Sequence, residues 1–282
     1  MQTAIVYGAS LEHAVAPKPS GDGTLRYVQS SYTLQNTRNK AIEKAEFWTY
    51  APARRTASQQ CIRLMTSHPS TLIEDEEGNL ILHFIFQDMA PFSSKIVMVQ
   101  ADVWVTDLAQ GVAKNVENRY LETELNIESN SEKIKNIAKL SDHKDRTKAA
   151  RMHFDWVTRN ISREDYSAKD RGALWAVHNK RGDCTEMAQV FTALCRVSQI
   201  PARVMGGYIC PNNSNLNANQ FHNWAEFFDG LAWQIVDPQS KVFMKKQSDY
   251  IATEIVRSNT THLMGKAHRY RFSGDGLKVK MN

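Results

Sequence analysis

The first hundred residues alternate between short apolar segments and turn-forming residues. Five segments are rich in Val, Ile, Leu, Phe, Tyr and Trp: Leu25–Leu34, Ala45–Tyr50, Cys61–Thr66, Leu80–Phe86 and Lys95–Val105. Pro, Gly and Asn occur between them, which is typical of strands joined by turns. In the last segment every second residue from Val97 to Val105 is apolar, and this predicts a strand with one face on a core. The pattern therefore predicts a β-sandwich over residues 1–110.

A polar stretch follows, and it predicts a connector over residues 111–141. The next segment is expected to begin with a helix, because Ala149, His153 and Val157 recur at helical spacing. Residues 142–282 are thus predicted to form a second domain, which mixes helices and strands. The fold class expected for the whole chain is α+β.

The strongest helix signal of the chain begins at Asp183. Asp183 followed by Glu186 forms a capping box, so Asp183 is the predicted N-cap and Cys184 the first helical residue. An apolar face recurs at spacings of three and four along this helix, and Cys184 lies on it, three residues before Met187. A cysteine at a helix N-terminus lies in the positive end of the helix dipole, which favours its thiolate. Such a thiol is suited to nucleophilic attack, but a buried structural cysteine remains an alternative.

A β-hairpin is expected around Asp229-Gly230, because this dipeptide lies between the apolar runs HNWAEFF and LAWQIVD. A two-residue loop there pairs Phe228 with Leu231. The same register places His222 directly opposite Asp237, with Cβ atoms about 5 Å apart. A carboxylate in this position can fix the imidazole tautomer and stabilise its charged form. With Cys184, the pair makes a candidate Cys–His–Asp triad; a strand-end pair without catalysis is the alternative.

Three segments together resemble the core of the transglutaminase-like superfamily, whose catalytic fold is related to papain-like peptidases. They are GDCTEMAQVFTALCRVSQIPARVMGGYI, HNWAEFF and WQIVDP. The resemblance implies that Cys184 is the nucleophile, His222 the general base and acid, and Asp237 the orienting carboxylate. It also implies an immunoglobulin-like domain before the core, as in some members. The side-chain donor of the oxyanion hole is not identified by the sequence.

The resemblance implies a cysteine-dependent peptidase or amidase that acts on a peptide or protein, cell-wall peptide included, through a thioester. An acyl transferase that passes the acyl group to an amine is the alternative, and a non-catalytic peptide-binding module is a further one. Neither a cofactor nor a metal is expected, since the scheme requires none. An extracytoplasmic location is favoured if a signal peptide was removed, although Met1–Ser10 does not have the pattern of one.

The net charge of +5 changes this picture little. Residues 241–282 hold 9 Lys and Arg against 3 Asp and Glu, so the surplus belongs to the C-terminal stretch. Because no nucleic-acid-binding motif accompanies these charges, a nucleic-acid partner is not expected. No apolar run approaches the roughly 18 residues that a membrane span needs. Oligomeric state is left open.

Smaller expectations concern individual side chains. Of the other cysteines, Cys195 is predicted to lie in the core, and the state of Cys61 and Cys210 is left open. Arg203 is expected to pair with a buried carboxylate whose identity is not predicted. Gly274-Asp275-Gly276 is typical of a hairpin turn, and we expect that hairpin to extend the sheet of the second domain.

Overall fold

A computed structural model describes residues 5–111, 118–141, 143–167, 169–257, 263–265 and 267–282. The described residues form four α-helices: α1 (Glu132–Ala138), α2 (Arg146–Asn160), α3 (Ala173–Asn179) and α4 (Cys184–Val197). The first nine strands in chain order are β1 (Ile5–Ala14), β2 (Thr24–Asn36), β3 (Ile42–Tyr50), β4 (Gln59–Glu74), β5 (Leu80–Met89), β6 (Ser94–Val105), β7 (Ser162–Arg163), β8 (Arg181–Gly182) and β9 (Ala202–Ile209). Seven more follow: β10 (Ser214–Leu216), β11 (Phe221–Phe228), β12 (Trp233–Asp237), β13 (Val242–Phe243), β14 (Tyr250–Val256), β15 (Tyr270–Ser273) and β16 (Leu277–Met281). Within these residues the fold is mixed α/β and rich in strands.

The N-terminal strands belong to a nine-stranded sheet in the order β10-β2-β6-β4-β5-β3-β15, with β1 on β4 and β16 on β2. The expected alternation is confirmed in β6, where Val97, Val103 and Val105 are buried while Ile96 and Met98 are exposed. The long strand β4 pairs with β6 along its first half and with β5 at its end. Many strands are thus present as predicted, but the immunoglobulin-like arrangement is not confirmed.

The C-terminal hairpin was expected in the sheet of the second domain, and this expectation is wrong. Strand β15 pairs with β3, and β16 pairs with β2, so both join the nine-stranded sheet. Leu277 and Met281 explain the placement, since both are buried in the same core as Tyr32 and Leu34 of β2. Their apolar side chains cover that core, and the two strands complete the sheet at edges that β2 and β3 leave open.

A second, five-stranded sheet has the order β13-β12-β11-β9-β14 and packs against α4. Its central strand β11 is buried on both faces. Ala225 and Phe227 share a core cluster with Phe191 of α4, whereas Trp224 belongs to a cluster on the opposite face. Since successive strand residues point to opposite faces, His222 shares the face of Trp224.

Two side-chain amides join the sheets at the free edge of β14. Gln59 donates to the carbonyl of Ala252 at 2.9 Å and accepts from its N–H at 2.8 Å. Asn79 makes the same pair of contacts with Ile255, at 3.1 and 2.7 Å. Each amide imitates a neighbouring strand, so the N–H and carbonyl groups of Ala252 and Ile255 are satisfied at this edge. None of the described helices is long and apolar enough to span a membrane.

Candidate active site

The start of α4 has the predicted capping box. The Asp183 carboxylate accepts from the N–H of Thr185 at 2.8 Å, and the N–H of Asp183 donates to Glu186 at 3.0 Å. Cys184 is the first helical residue, as predicted, and its side chain is partly exposed. This local arrangement follows from four consecutive residues, because a capping box satisfies N–H groups that a helix start otherwise leaves free.

A second set of contacts supports this helix start, and the sequence did not reveal it. Arg171 binds the buried Glu186 carboxylate with its side chain, at 2.9 Å from Nη2 and 3.2 Å from Nε, and with its own N–H. It also contacts Glu164 and stacks 3.9 Å from the centre of the Trp175 ring. The N–H of Ser167 donates to the other Asp183 oxygen at 2.9 Å. The backbone position of Cys184 is therefore fixed from two directions.

The hairpin that carries the other two candidate residues has a different register from the predicted one. Phe228 pairs with Trp233, which makes a loop of four residues from Asp229 to Ala232. The Asp229 carboxylate closes this loop by accepting from the N–H groups of Leu231 at 2.7 Å and Ala232 at 2.9 Å. The predicted direct pairing of His222 with Asp237 is therefore wrong by two residues.

The two side chains nevertheless meet. An even shift in register leaves His222 and Asp237 on the same face of the sheet, where diagonal neighbours remain within reach of long side chains. Nε2 of His222 lies 2.7 Å from Oδ2 of Asp237. The Asp237 side chain is fully buried, and its Oδ1 accepts from the N–H of Ser240 at 3.0 Å. The structure thus brings the predicted His–Asp pair together as neighbours on a diagonal.

Two aromatic residues enclose the pair. The Trp224 ring stacks beneath the His222 ring, with centroids 6.5 Å apart and an interplanar angle of 22°. Tyr250 places its ring edge-on to Trp224 at 5.1 Å and donates its hydroxyl to Oδ2 of Asp237 at 2.9 Å. Trp224 lies on the His222 face of β11 because alternate strand residues share a face, whereas Tyr250 carried no signal in the sequence.

The pKa values of the pair move in opposite directions. Burial alone would lower the pKa of His222, but hydrogen bonds to Asp237 and to the Cys184 thiol, with the charges of both groups, raise it to about 9. Burial of Asp237 favours its neutral form, but the hydrogen bond and charge of His222 and the contacts with Ser240 outweigh burial and lower its pKa. Both groups are therefore charged at neutral pH. Because Nε2 of His222 is hydrogen-bonded to Asp237, Nδ1 is the ring nitrogen available to exchange a proton with the Cys184 thiol.

The other candidates have simpler surroundings. Cys61, Cys195 and Cys210 are buried and form no disulfide. Burial raises the pKa of the Cys61 thiol to about 12 and that of Cys195 well above its usual value. Arg203 pairs with the buried Glu226 at 2.6 Å, which identifies the carboxylate that the sequence left unnamed. Among the described residues, no group of three His, Cys, Asp or Glu side chains is arranged to hold a metal ion.

Residues 135–238, just over a third of the chain, match the profile of the transglutaminase-like superfamily. This part of the chain is similar to that superfamily. The matched segment includes the helix start, the hairpin and Asp237, and it ends at Pro238. It does not include Tyr250. No curated protein matches the chain.

Solved structures with the same general fold include a candidate cysteine protease from Cytophaga hutchinsonii. It is 17% identical, with a TM-score of 0.61, and the alignment covers 99% of this chain and 92% of that one. The periplasmic domain of TgpA from Pseudomonas aeruginosa, bound to ethylmercury, is 14% identical over 84% of this chain and 98% of that one, with a TM-score of 0.39. At 17% identity the first likeness concerns only the fold, over nearly the whole chain.

Proposed function

We propose that this protein is a cysteine-dependent amide hydrolase, a peptidase or amidase, that acts on a peptide or protein. Cys184 is its nucleophile, His222 its acid and base, and Asp237 the carboxylate that orients the imidazole. One observation carries the proposal: a buried His–Asp pair, 2.7 Å apart, faces a partly exposed cysteine at a helix start. The match of residues 135–238 to the superfamily profile supports the same three roles.

The proposed reaction begins with a thiolate and an imidazolium, which the raised pKa of His222 favours at neutral pH. The sulfur of Cys184 attacks the amide carbonyl, and the N–H of Cys184 donates to the developing oxyanion. Nδ1 of His222 then gives its proton to the leaving amine, the C–N bond breaks, and a thioester remains. Water loses a proton to His222 as it attacks the thioester, which releases the carboxylic acid and restores the thiolate of Cys184 and the imidazolium of His222.

Acyl transfer is the alternative outcome of the same thioester. If an amine attacks instead of water, a new amide forms and the protein is a transferase. We favour hydrolysis because water needs no second substrate site. A non-catalytic peptide-binding module is the third possibility, and the pairing of His222 with Asp237 beside a thiol argues against it.

The organisation of the whole chain is proposed on the same basis. We retain the division into residues 1–110, 111–141 and 142–282 as a proposal, together with an immunoglobulin-like origin for the first part. Strands β10, β15 and β16 of the third part pair within the sheet of the first, so the parts are not independent in this fold. An extracytoplasmic location and a cell-wall peptide as substrate remain proposals that rest on the family resemblance.

Thiol reactivity tests the catalytic proposal directly. Iodoacetamide at neutral pH should modify one residue, Cys184, about tenfold or more faster than it modifies glutathione, because a nucleophilic cysteine beside an imidazolium reacts faster than a free thiol. The other three cysteines are buried and should remain unmodified. Mass mapping identifies the site, and Cys184→Ala is the matched control. A wild-type thiol that reacts no faster than glutathione would contradict the proposal.

The choice between hydrolysis and transfer needs a second experiment. Peptides and cell-wall fragments are incubated with the wild-type protein or with Cys184→Ala in ¹⁸O-labelled water, with and without a simple primary amine. Hydrolysis places the heavy oxygen in the new carboxylate, whereas transfer places the amine in the product with loss of the original amine. Incorporation of the amine without heavy oxygen would refute the preference for hydrolysis.

A further inference from the structure

We infer that Tyr250 is a positioning residue that acts on His222 through Asp237. The role of Tyr250 in the reaction rests on the proposed function, whereas its contacts with Asp237 and Trp224 do not depend on that function. The Tyr250 hydroxyl donates to Oδ2 of Asp237 at 2.9 Å, and the same oxygen lies 2.7 Å from Nε2 of His222. One carboxylate oxygen is therefore shared between the imidazole and a phenol.

Both oxygens of the Asp237 carboxylate accept hydrogen bonds. Oδ2 accepts from His222 and Tyr250, and Oδ1 accepts from the N–H of Ser240 at 3.0 Å. Because the side chain is fully buried, no solvent competes for these positions. Such a network fixes the orientation of the carboxylate and, through it, the plane and tautomer of the imidazole. Without the phenol, Oδ2 would lose one of its donors, and the carboxylate would be held less firmly about its χ2 angle.

The Tyr250 side chain is itself fixed in place. It is buried, and its ring lies edge-on against Trp224, which in turn stacks beneath His222. Tyr250 is the first residue of β14 and follows a short 3₁₀ helix, Gln247–Asp249. Asp107 anchors that helix by accepting from both the N–H and the hydroxyl of Ser248. A tyrosine placed this rigidly loses little conformational freedom when it holds the carboxylate.

The phenol also adjusts the charge that His222 experiences. Cys184 on α4 and Asp237 on β12 raise the pKa of His222 directly. Ser240 and Asp249 influence the pKa of Tyr250 instead. A donor to Oδ2 spreads the negative charge of Asp237 and weakens its attraction for the imidazole proton. Tyr250 should therefore keep the imidazolium acidic enough to protonate the leaving amine, since an acid that holds its proton too tightly is a poor catalyst.

Replacement of Tyr250 should therefore change the titration of His222. In Tyr250→Phe the donor is lost, and the pKa of His222 should rise by roughly half a unit or more. Turnover should fall about tenfold in kcat with KM little changed, because the acidic step is slowed and the carboxylate is less fixed. Replacement of Tyr250 by difluorotyrosine strengthens the donor, so the pKa of His222 should move down.

The measurement uses the imidazole signals of His222 in an NMR titration, with Cys184→Ala as the common background. The matched control is Tyr208→Phe, another buried tyrosine, whose hydroxyl contacts Met281 at 3.6 Å. Opposite shifts for phenylalanine and difluorotyrosine at position 250, with none for the control, support the inference, because loss of packing alone cannot produce both. Identical titrations in all the proteins would overturn it.

The titration needs neither substrate nor the thiol, so it separates this inference from the proposed function. If Cys184 is unreactive in the wild-type protein while His222 responds to Tyr250, the proposed function fails and the coupling stands. If Cys184 is reactive and His222 does not respond, the coupling fails alone. If Tyr250→Phe does not fold, the difluorotyrosine protein decides the question by its direction of shift.

Discussion

Two enclosed histidines, His222 and His153, behave in opposite ways. The pKa of His222 is raised to about 9, whereas burial lowers the pKa of His153 to about 4. His153 lies on α2 with Nε2 2.9 Å from the hydroxyl of Ser198, and its Nδ1 has no partner among the described residues. Both rings are removed from water, so burial does not account for the difference between them.

The charge of the partner accounts for it. A carboxylate stabilises an imidazolium strongly enough to reverse the effect of burial, whereas a hydroxyl does not. His222 is therefore a proton donor at neutral pH, and His153 is a neutral packing residue that shares a hydrogen bond with Ser198. A buried histidine becomes suited to acid–base chemistry only through the group that it faces.

The largest expected effect comes from removing that charge. In Asp237→Asn the ring of His222 stays buried and loses its carboxylate, so its pKa should fall below its usual value, as it does for His153. Turnover should drop by about 10⁴-fold, because the imidazole is no longer held in the correct tautomer. NMR titration of His222 and the rate on any substrate of the wild type measure both effects.

The matched control for this change is His153→Gln, which removes the other enclosed histidine. The variant that folds should have unchanged turnover, because the His153 side chain hydrogen-bonds Ser198 and, among the described residues, no member of the candidate triad. Wild-type turnover by Asp237→Asn would show that the His–Asp pair is structural only.

A smaller effect is expected in the dependence of stability on pH. Folding lowers the pKa of His153, so below pH 6.5 the unfolded chain binds more protons than the folded one. The free energy of unfolding therefore falls as the pH drops towards 4. Folded His222 holds its proton up to about pH 9, so its contribution is complete below pH 6.5 and is lost as the pH rises through 9. Each contribution is on the order of 3 kcal/mol, from about 1.36 kcal/mol per pKa unit.

Chemical denaturation across pH 4–10 measures these two contributions as differences between variants and wild type. The difference for His153→Gln should change on the acid side, whereas only that for His222→Gln should also change on the alkaline side. Parallel curves for the two variants would mean that the two histidines do not differ in the way proposed here.

The smallest effect concerns the hydroxyl beside His153. Ser198→Ala removes the partner of Nε2 and leaves a buried ring nitrogen unsatisfied, so the free energy of unfolding should fall by about 1 kcal/mol. The alkylation rate of Cys184 should not change, since Ser198 lies at the other end of α4. A slower thiol in this variant would show that the two ends of the helix are coupled.

Local sequence carries enough information for the helix start but not for the hairpin register. The capping box depends on Asp183 and Glu186 alone, and the structure confirms it. The loop length depends on the carboxylate of Asp229, which caps two further N–H groups and lengthens the turn from two residues to four. Because that error is even, the face shared by His222 and Asp237 was still predicted correctly.

Contacts between distant segments were beyond the reach of sequence patterns. Tyr250 reaches Asp237 only because β14 pairs with β9 at the far side of the sheet, and Arg171 reaches Glu186 from a loop. The C-terminal hairpin shows the same limit, since its turn was recognisable while its partner strands were not. Which strands pair across more than 200 residues of sequence depends on which part of the core is still exposed. A local sequence pattern does not indicate this.

The position of β16 on β2 has a consequence for the growing chain. Asn36 at the end of β2 is made about 240 residues before its partner Leu277. At about 5–20 residues per second, roughly 12–48 s pass before the partner is synthesised. Throughout that interval the C-terminal half of β2 offers an unpaired edge to any neighbouring chain, which is a known route to aggregation. The last strands of the chain therefore protect an edge that its first strands expose while the chain is being made.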